Sequence, residues 1–463
     1  MSTHTRRLAA ERSFLARALT RLRTLSPETG DALLYGLSAA FALVTIYTST
    51  LALYRQWAEL AIGPFVFGAV ASAVSAVVAA RRARKNAGAA VTPQRSHRNW
   101  VVRIAIAACV FAGAMAIPLG LEIVWRSDGD PGSHYQPEVG VIERAGQYVA
   151  KGKNPYYDVT NPHGKVIHTV PGQSVVNSFV PYLPLMTLFG IPSERKHDVV
   201  LTDARIFFSL VTLLVAGTAL FLCPADGRRK MRALQVIAIL PTAALPLATG
   251  GDDMPVVAFL LLAMVLAQRR QPFDSGVVLG IVSAMKFTAW PLAALALFAA
   301  RNRRGDRRPT TMFLGMLVVA GPVVVPFALR GPWAFFDNVV LFPLGLSGVT
   351  SPAASPLPGH LIVTAFPFLH RALPLAVGLI GGAILALYLY RRPPQTASQA
   401  CNVGGVVMAV ITLLAPATRI GYLLYPINFF VWGYLFSGAP QNEEIESAPS
   451  FTDEDLQLSL SAP

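Results

Sequence analysis

The chain has 463 residues, of which 53% are hydrophobic and only 14% charged, and its mean hydropathy is +0.49; a soluble chain of this length is excluded. The net charge of +14 does not point to nucleic acid, because the basic residues stand in short clusters beside apolar runs, without aromatic interleaving or a binding motif. They read as topology signals and contacts to anionic membrane lipids. Cys109, Cys223 and Cys401 lie in or beside apolar segments with none of the close spacing of a metal site or a disulfide framework, so they are assigned to packing.

In chain order, residues 1–30 form an arm carrying Arg6, Arg7, Arg12, Arg17, Arg21 and Arg23, which the positive-inside rule places in the cytoplasm. The first apolar run, 31–54, is too long for a signal-peptide core, so nothing at the N-terminus reads as cleavable. Residues 58–80 return to a basic, Ala- and Gly-rich linker at 81–98, expected to be mobile. Residues 100–125 exit again to the longest polar segment, 126–174, expected outside. Basic clusters at 228–230, 269–270, 301–308 and 391–392 mark further cytoplasmic turns, so the segments between them cross in pairs. Residues 231–249 and 255–268 form a hairpin with its tip at 250–253, and 275–300 is broken near Lys286 by Pro291. Residues 310–329 exit to a Pro-, Gly- and Ser-rich loop at 330–360, 373–390 return, and 402–414 with 422–436 make the last hairpin. Residues 175–192 resist the scheme: a crossing there would put 228–230 outside, and a re-entrant or interfacial pair of short helices is preferred, although the basic cluster at 195–197 argues the other way. The tail, 438–463, is acidic and low in apolar content, which predicts a disordered cytoplasmic end. The expected architecture is therefore an all-α, polytopic bundle of about a dozen spans. It divides into the arm at 1–30, two extra spans with their linker at 31–99, a membrane domain at 100–437 and the tail.

Ionisable groups are costly in lipid and tend to be functional, so the outward polar set is where chemistry is sought. The long loop supplies Asp128, Asp130, His134, Tyr135, Glu138, Glu143, Arg144 and Lys151, and the tips add Asp252, Asp253 and Lys286. Residues 138–149 read as an amphipathic helix lying along the membrane surface, with Val139, Ile142, Ala145, Gly146 and Val149 on one face and Glu143, Arg144 and Gln147 opposite; Gly152 and Pro155 end it. Each group has a plainer role. Asp128, Asp130 and Glu143 read as solvated loop acids, Asp252 and Asp253 as a turn and helix cap, and Lys286 as a snorkelling lysine.

Three blocks resemble the multi-spanning GT-C glycosyltransferases and, within them, glycosyltransferase family 87. The first runs from Glu138 through Ala145-Gly146 to Gly152-Lys153-Asn154-Pro155-Tyr156, similar to the family's acid, amphipathic helix and Gly-x-Asn/Asp-Pro-Tyr. The second, Phe179-Val180-Pro181-Tyr182-Leu183-Pro184-Leu185, resembles Tyr-Pro-Pro-Leu with Leu183 in place of one Pro. The third joins Gly250-Gly251-Asp252-Asp253-Met254-Pro255 to Gly280-Ile281-Val282-Ser283-Ala284-Met285-Lys286-Phe287-Thr288. The resemblance covers about 126–437. It implies inverting transfer of a hexose, often mannose, from a polyprenyl-phosphate donor to a lipid or glycan acceptor on the outer face of the cell membrane. It implies Glu138 as catalytic base, where the family generally has Asp, with Asp130 and then Asp128 as alternatives. Lys286, Arg144, Asp252, Asp253, His134 and Tyr156 would hold the donor's phosphate and sugar. No cofactor and no metal ligand set is read, although a divalent cation stays open. The chain also lacks a Gly-rich phosphate loop or a soluble nucleotide-binding segment, which suits a lipid-linked donor. The rival is a secondary transporter or flippase of lipid-linked substrates, disfavoured because the charges cluster at loop and hairpin tips rather than at the bilayer midplane in internal repeats.

Overall fold

A computed structural model describes residues 25–85, 93–129, 134–194, 199–300, 308–349 and 353–438. The basic arm, Asp130, the cluster at 195–197, most of 301–308 and the acidic tail fall outside these. Among the described residues there are helices and no strand; two isolated bridges join Thr160 to Val166 and Ala354 to Thr418.

Helix α1, Pro27–Thr48, starts where Ser26 accepts from the Thr29 amide and Pro27 stands at the first turn, a pairing that satisfies an orphan N–H and presets φ. It forms a hairpin with α2, Ala52–Lys85, so Arg81 to Lys85 continue a helix rather than opening a loose linker. Helix α3 begins at Pro93–Phe111, passes a π-bulge at Ala112–Ala116 and continues as Ile117–Asp128, one turn beyond the expected exit. Trp57 of α2 donates to the Ala114 carbonyl in that bulge at 2.9 Å, a carbonyl freed by the widened turn. At the hairpin's other end Asp31 accepts from Arg103 Nε at 2.7 Å, from Gln235 at 3.0 Å and from Arg232. These buried bonds tie the N-terminal hairpin to α3 and to a helix more than 200 positions along the chain.

Helix α4, Pro137–Ala150, ends the polar segment's first half and is not the surface helix expected. Val139, Val141, Ile142, Glu143, Ala145 and Gly146 are all buried, because α4 is packed from two sides. Gly146 meets the backbone of Gly190 so closely that a Cβ on either would collide, which is the physical content of the Ala-Gly pair. Gly190 belongs to a 3₁₀ helix, Pro184–Glu194, preceded by the short α5, Val175–Ser178. The ambiguous segment at 175–192 is thus two short helices.

Helix α6, Ala204–Leu222, is capped by Asp203. Helix α7 spans Gly227–Thr249, stopped by Gly250 at φ +110°, a left-handed conformation that only glycine adopts without strain. Helix α8, Asp253–Gln268, buries almost its whole length and is the centre of the core. Helices α9, Pro272–Ser283, and α10, Trp290–Ala299, are the two halves of the break at Lys286. Helix α11, Arg308–Arg330, leads to α12, Pro332–Phe336, continued by a π-turn at Asp337–Leu341; the expected irregular loop is therefore partly helical. Helices α13, Pro358–Ala365, α14, Leu369–Arg391, α15, Ala397–Leu414, and α16, Leu424–Phe436, complete the described chain.

Among the described residues, eight helices are long and apolar enough to cross a membrane, and four apolar helices are shorter. Helix α14 buries none of its residues, and its Leu379, Ile380 and Ile384 are exposed. Such a face is stable only where the solvent is hydrocarbon. Cys223 and Cys401 are buried, as packing requires, while Cys109 is exposed on α3.

Candidate active site

The short helices expose backbone ends and polar tips inside the bundle, and the site is built there. The tip after α7 carries Asp252 and Asp253; the break between α9 and α10 carries Lys286. The Lys286 ammonium lies 3.0 Å from Asp252 Oδ2 and 2.7 Å from Asp253 Oδ1, and all three side chains are buried. Asp253 also accepts from the Tyr425 hydroxyl, which stands 2.6 Å from the Thr288 hydroxyl. The rings of Tyr182 and Tyr422 flank the ammonium at 5.5 and 5.9 Å, within cation–π range. Tyr182 is brought there by backbone pairing, Leu183 N–H to Met285 O at 3.0 Å and Leu185 N–H to Ala284 O at 2.9 Å.

Glu138 joins this group through α4. The Gln136 N–H donates to Thr249 O at 2.9 Å and the Gln136 side-chain amide to Thr249 Oγ1 at 2.8 Å, docking the first turn of α4 on the tip after α7. Val139 fits against Gly250 where a Cβ would collide. Glu138 Oε1 then pairs with Arg419 Nη1 at 2.7 Å, while Oε2 is buried with no hydrogen-bond partner among the described residues. Glu138, Asp252 and Tyr182 are close enough to act on one another electrostatically. The group holds three carboxylates and two cations, so its formal sum is −1. Lys286 is not a free cation, since two carboxylates share it; Arg419 has one carboxylate and further N–H donors to spare.

The remaining expected site residues are elsewhere. Arg144 points away from Glu138 on α4 and donates to the Asn177 carbonyl. His134 Nδ1 lies 3.1 Å from Glu122 Oε2. Tyr156 is buried and donates to the Tyr182 carbonyl at 2.7 Å, edge-on to Phe335 and Phe327. Burial pushes the Tyr156 phenol well above its ordinary range, so it stays a donor and pins the loop beside Tyr182. Asp128 is exposed at the end of α3. Glu143, expected to be a solvated acid, is buried against Arg126 at 2.6 Å.

Arg419, Tyr422 and Tyr425 were not among the expected residues. Their signal was modest: a lone arginine between the last two apolar segments, followed by two tyrosines at the start of a helix. Among the described residues no three or more His, Cys, Asp or Glu side chains gather as a metal site.

A polytopic α-helical chain with a knot of ionisable groups at the tips of short helices is a membrane protein built around a buried polar site. Residues 179–416 match glycosyltransferase family 87, just over half of the chain, and the protein belongs to that family of membrane glycosyltransferases. This decides against the transporter. The second and third sequence blocks lie inside the matched residues; Glu138 lies upstream and joins them through the fold. No curated protein and no solved structure matches the chain.

Proposed function

We propose that the protein transfers a hexose, mannose in the first instance, from a polyprenyl-phosphate donor to a hydroxyl of a lipid or glycan acceptor, with inversion, on the extracytoplasmic face of the cell membrane. The observation that carries this reading is Glu138: one oxygen is held by Arg419, the other is buried with no hydrogen-bond partner among the described residues, and the carboxylate is close enough to Asp252 to act on it electrostatically. The acceptor oxygen attacks the anomeric carbon as Glu138 Oε2 takes its proton; the bond from that carbon to the phosphate oxygen breaks, and polyprenyl phosphate leaves with the electron pair. Arg419 is the cation for the departing phosphate, with N–H groups left after its bond to Glu138. Asp252 and Asp253, steadied by Lys286, have lone pairs left to accept from the donor's hydroxyls. The proposed step draws on no cofactor; Lys286 lies between the two carboxylates, 3.0 Å from Asp252 and 2.7 Å from Asp253.

Purified protein in nanodiscs should transfer labelled mannose from polyprenyl-phosphate mannose and not directly from a nucleotide sugar; efficient use of the nucleotide sugar would sink the donor assignment. The same reading places both termini inside and 126–174 outside. A cysteine engineered at Asn161 should be labelled by an impermeant reagent added outside intact cells, and one at Gly305 should be missed. The opposite pattern inverts the topology.

A further inference from the structure

Helix α4 has two polar faces, and only one belongs to the site above. On the other, a cavity of about 360 Å³ opens between α4 and the loop residues 170–177, bordered by Tyr135, Arg144, Gln147, Gln173 and Asn177, within the size range of small-molecule sites. We propose that this cavity is a saccharide-binding subsite, taking the sugar portion of the acceptor; the word acceptor rests on the transferase reading, the saccharide site does not.

Several polar atoms here have hydrogen-bonding capacity to spare. Arg144 forms no ion pair among the described residues; one terminal nitrogen donates to the Asn177 carbonyl, the guanidinium acts on the nearby Tyr157 phenol, and Nε is buried without a partner. Among the described residues, Gln173 and Asn177 use only backbone atoms in their hydrogen bonds, which leaves both side-chain amides available. Gln147 donates to Ser193 Oγ at 3.2 Å, which leaves its carbonyl oxygen as an acceptor. Guanidinium and amide groups are planar, with donors or acceptors in pairs, a geometry that suits neighbouring hydroxyls. Glu143 also borders the cavity, but Arg126 neutralises it. A single guanidinium among three amides is a poor phosphate cluster and a good hydroxyl reader.

The place of the cavity fits an acceptor. Tyr135 and Pro137 line it, and Glu138 is the next residue, turned to the opposite side. A glycan seated in the cavity has to round the N-terminal end of α4, about one helix diameter or 10 Å, to bring a terminal hydroxyl to Glu138 Oε2. The apolar surfaces in the lining are confined to the Tyr135 ring, Pro137 and Val170, too little for a prenyl chain, so the donor's lipid has no place there.

The test uses the full chain in nanodiscs with α-linked mannobiose and mannotriose as probes, read by saturation-transfer NMR. Expected are signals from at least one probe, a dissociation constant raised at least tenfold by Arg144→Ala and by Gln173→Leu, and unchanged binding in Asp128→Asn, made at an exposed position outside the cavity. Gln173 is exposed, so its replacement does not threaten folding. Absence of signal from both probes, or undiminished binding in both cavity variants, overturns the proposal. In the transfer assay the same two variants should raise the acceptor KM and leave the donor KM alone. Loss of transfer from polyprenyl-phosphate mannose with saccharide binding intact would overturn the donor reading and leave the cavity assignment standing.

Discussion

Glu138→Gln should lower transfer by about a hundredfold or more, the usual cost of losing a general base, while donor binding largely survives. Glutamine keeps the shape at the first turn of α4 but neither accepts the hydroxyl proton nor balances Arg419, which pairs with Oε1 at 2.7 Å in the wild type. The loss should therefore fall on kcat, with the donor KM changed far less, the pattern of an interaction made in the transition state. Because Gln136 and Val139, and not Glu138, dock α4 on the tip after α7, the variant should melt like the wild type. Asp128→Asn and Asp130→Asn serve as comparisons and should transfer normally. If Glu138→Gln works at the wild-type rate and Asp130→Asn does not, the base lies upstream of α4.

The parts of this fold that were legible in the sequence are those that a one-dimensional signal can carry. Apolar runs bounded by arginines marked most helices, and Pro291 together with Lys286 marked the break between α9 and α10. Gly250 marked the end of α7. Asp252, Asp253 and Lys286 stood out because each interrupts hydrocarbon-compatible sequence, and the structure brings them together with Glu138. What could not be read was partnership at long range. Arg126 meets Asp203 across 77 positions and Asp31 meets Arg103 across 72, and no local pattern announces either. For the same reason a buried Glu143 resembled a solvated loop acid, and nothing local to Arg419 marked it as the partner of Glu138. The amphipathic period of α4 correctly located its packed face. It said nothing of the second layer, formed by the loop, that turns its polar face into the wall of a cavity.

That second layer is held by hydrogen bonds as well as by buried side chains such as Val159 and Phe179, the latter stacked on Phe342 at 4.1 Å. Thr160 Oγ1 donates to Asp337 at 2.6 Å and Trp333 Nε1 to the Thr160 carbonyl at 2.8 Å. The Asn338 side chain donates to the Tyr157 carbonyl at 3.0 Å and accepts from Val180 N at 2.8 Å. The long polar segment is thereby fastened to α12 and the π-turn after it, and its Tyr156 reaches the backbone next to the site.

Replacing Asp203 with Ala should cost the protein about 3–5 kcal/mol of stability, the range for stripping one partner from a buried ion network, together with about 1 kcal/mol for the lost cap of α6. Asp203 is fully buried, with Oδ1 accepting from Arg205 Nε at 2.9 Å and from the Arg205 amide at 2.9 Å. Its Oδ2 accepts from Arg205 Nη2 at 2.8 Å and from Arg126 Nη1 at 2.6 Å. Arg126 in turn is held by Glu143 of α4 and lies over the Tyr135 ring at 3.9 Å, and Arg205 Nη1 donates to the His134 carbonyl at 2.7 Å. Two arginines and two carboxylates balance, so the network is neutral as it stands. Removing Asp203 leaves the Arg205 guanidinium buried without its carboxylate and Arg126 with Glu143 alone, and it loosens the end of α3, the start of α6 and α4 together. Because α4 carries Glu138, residual folded protein should also show a lower kcat, which Asp128→Ala, made at an exposed position of the same region, should not. The measurement is a thermal melt in nanodiscs alongside the yield of monodisperse protein. A melting temperature within a degree of wild type for Asp203→Ala would mean that these four charges do not hold the site in place.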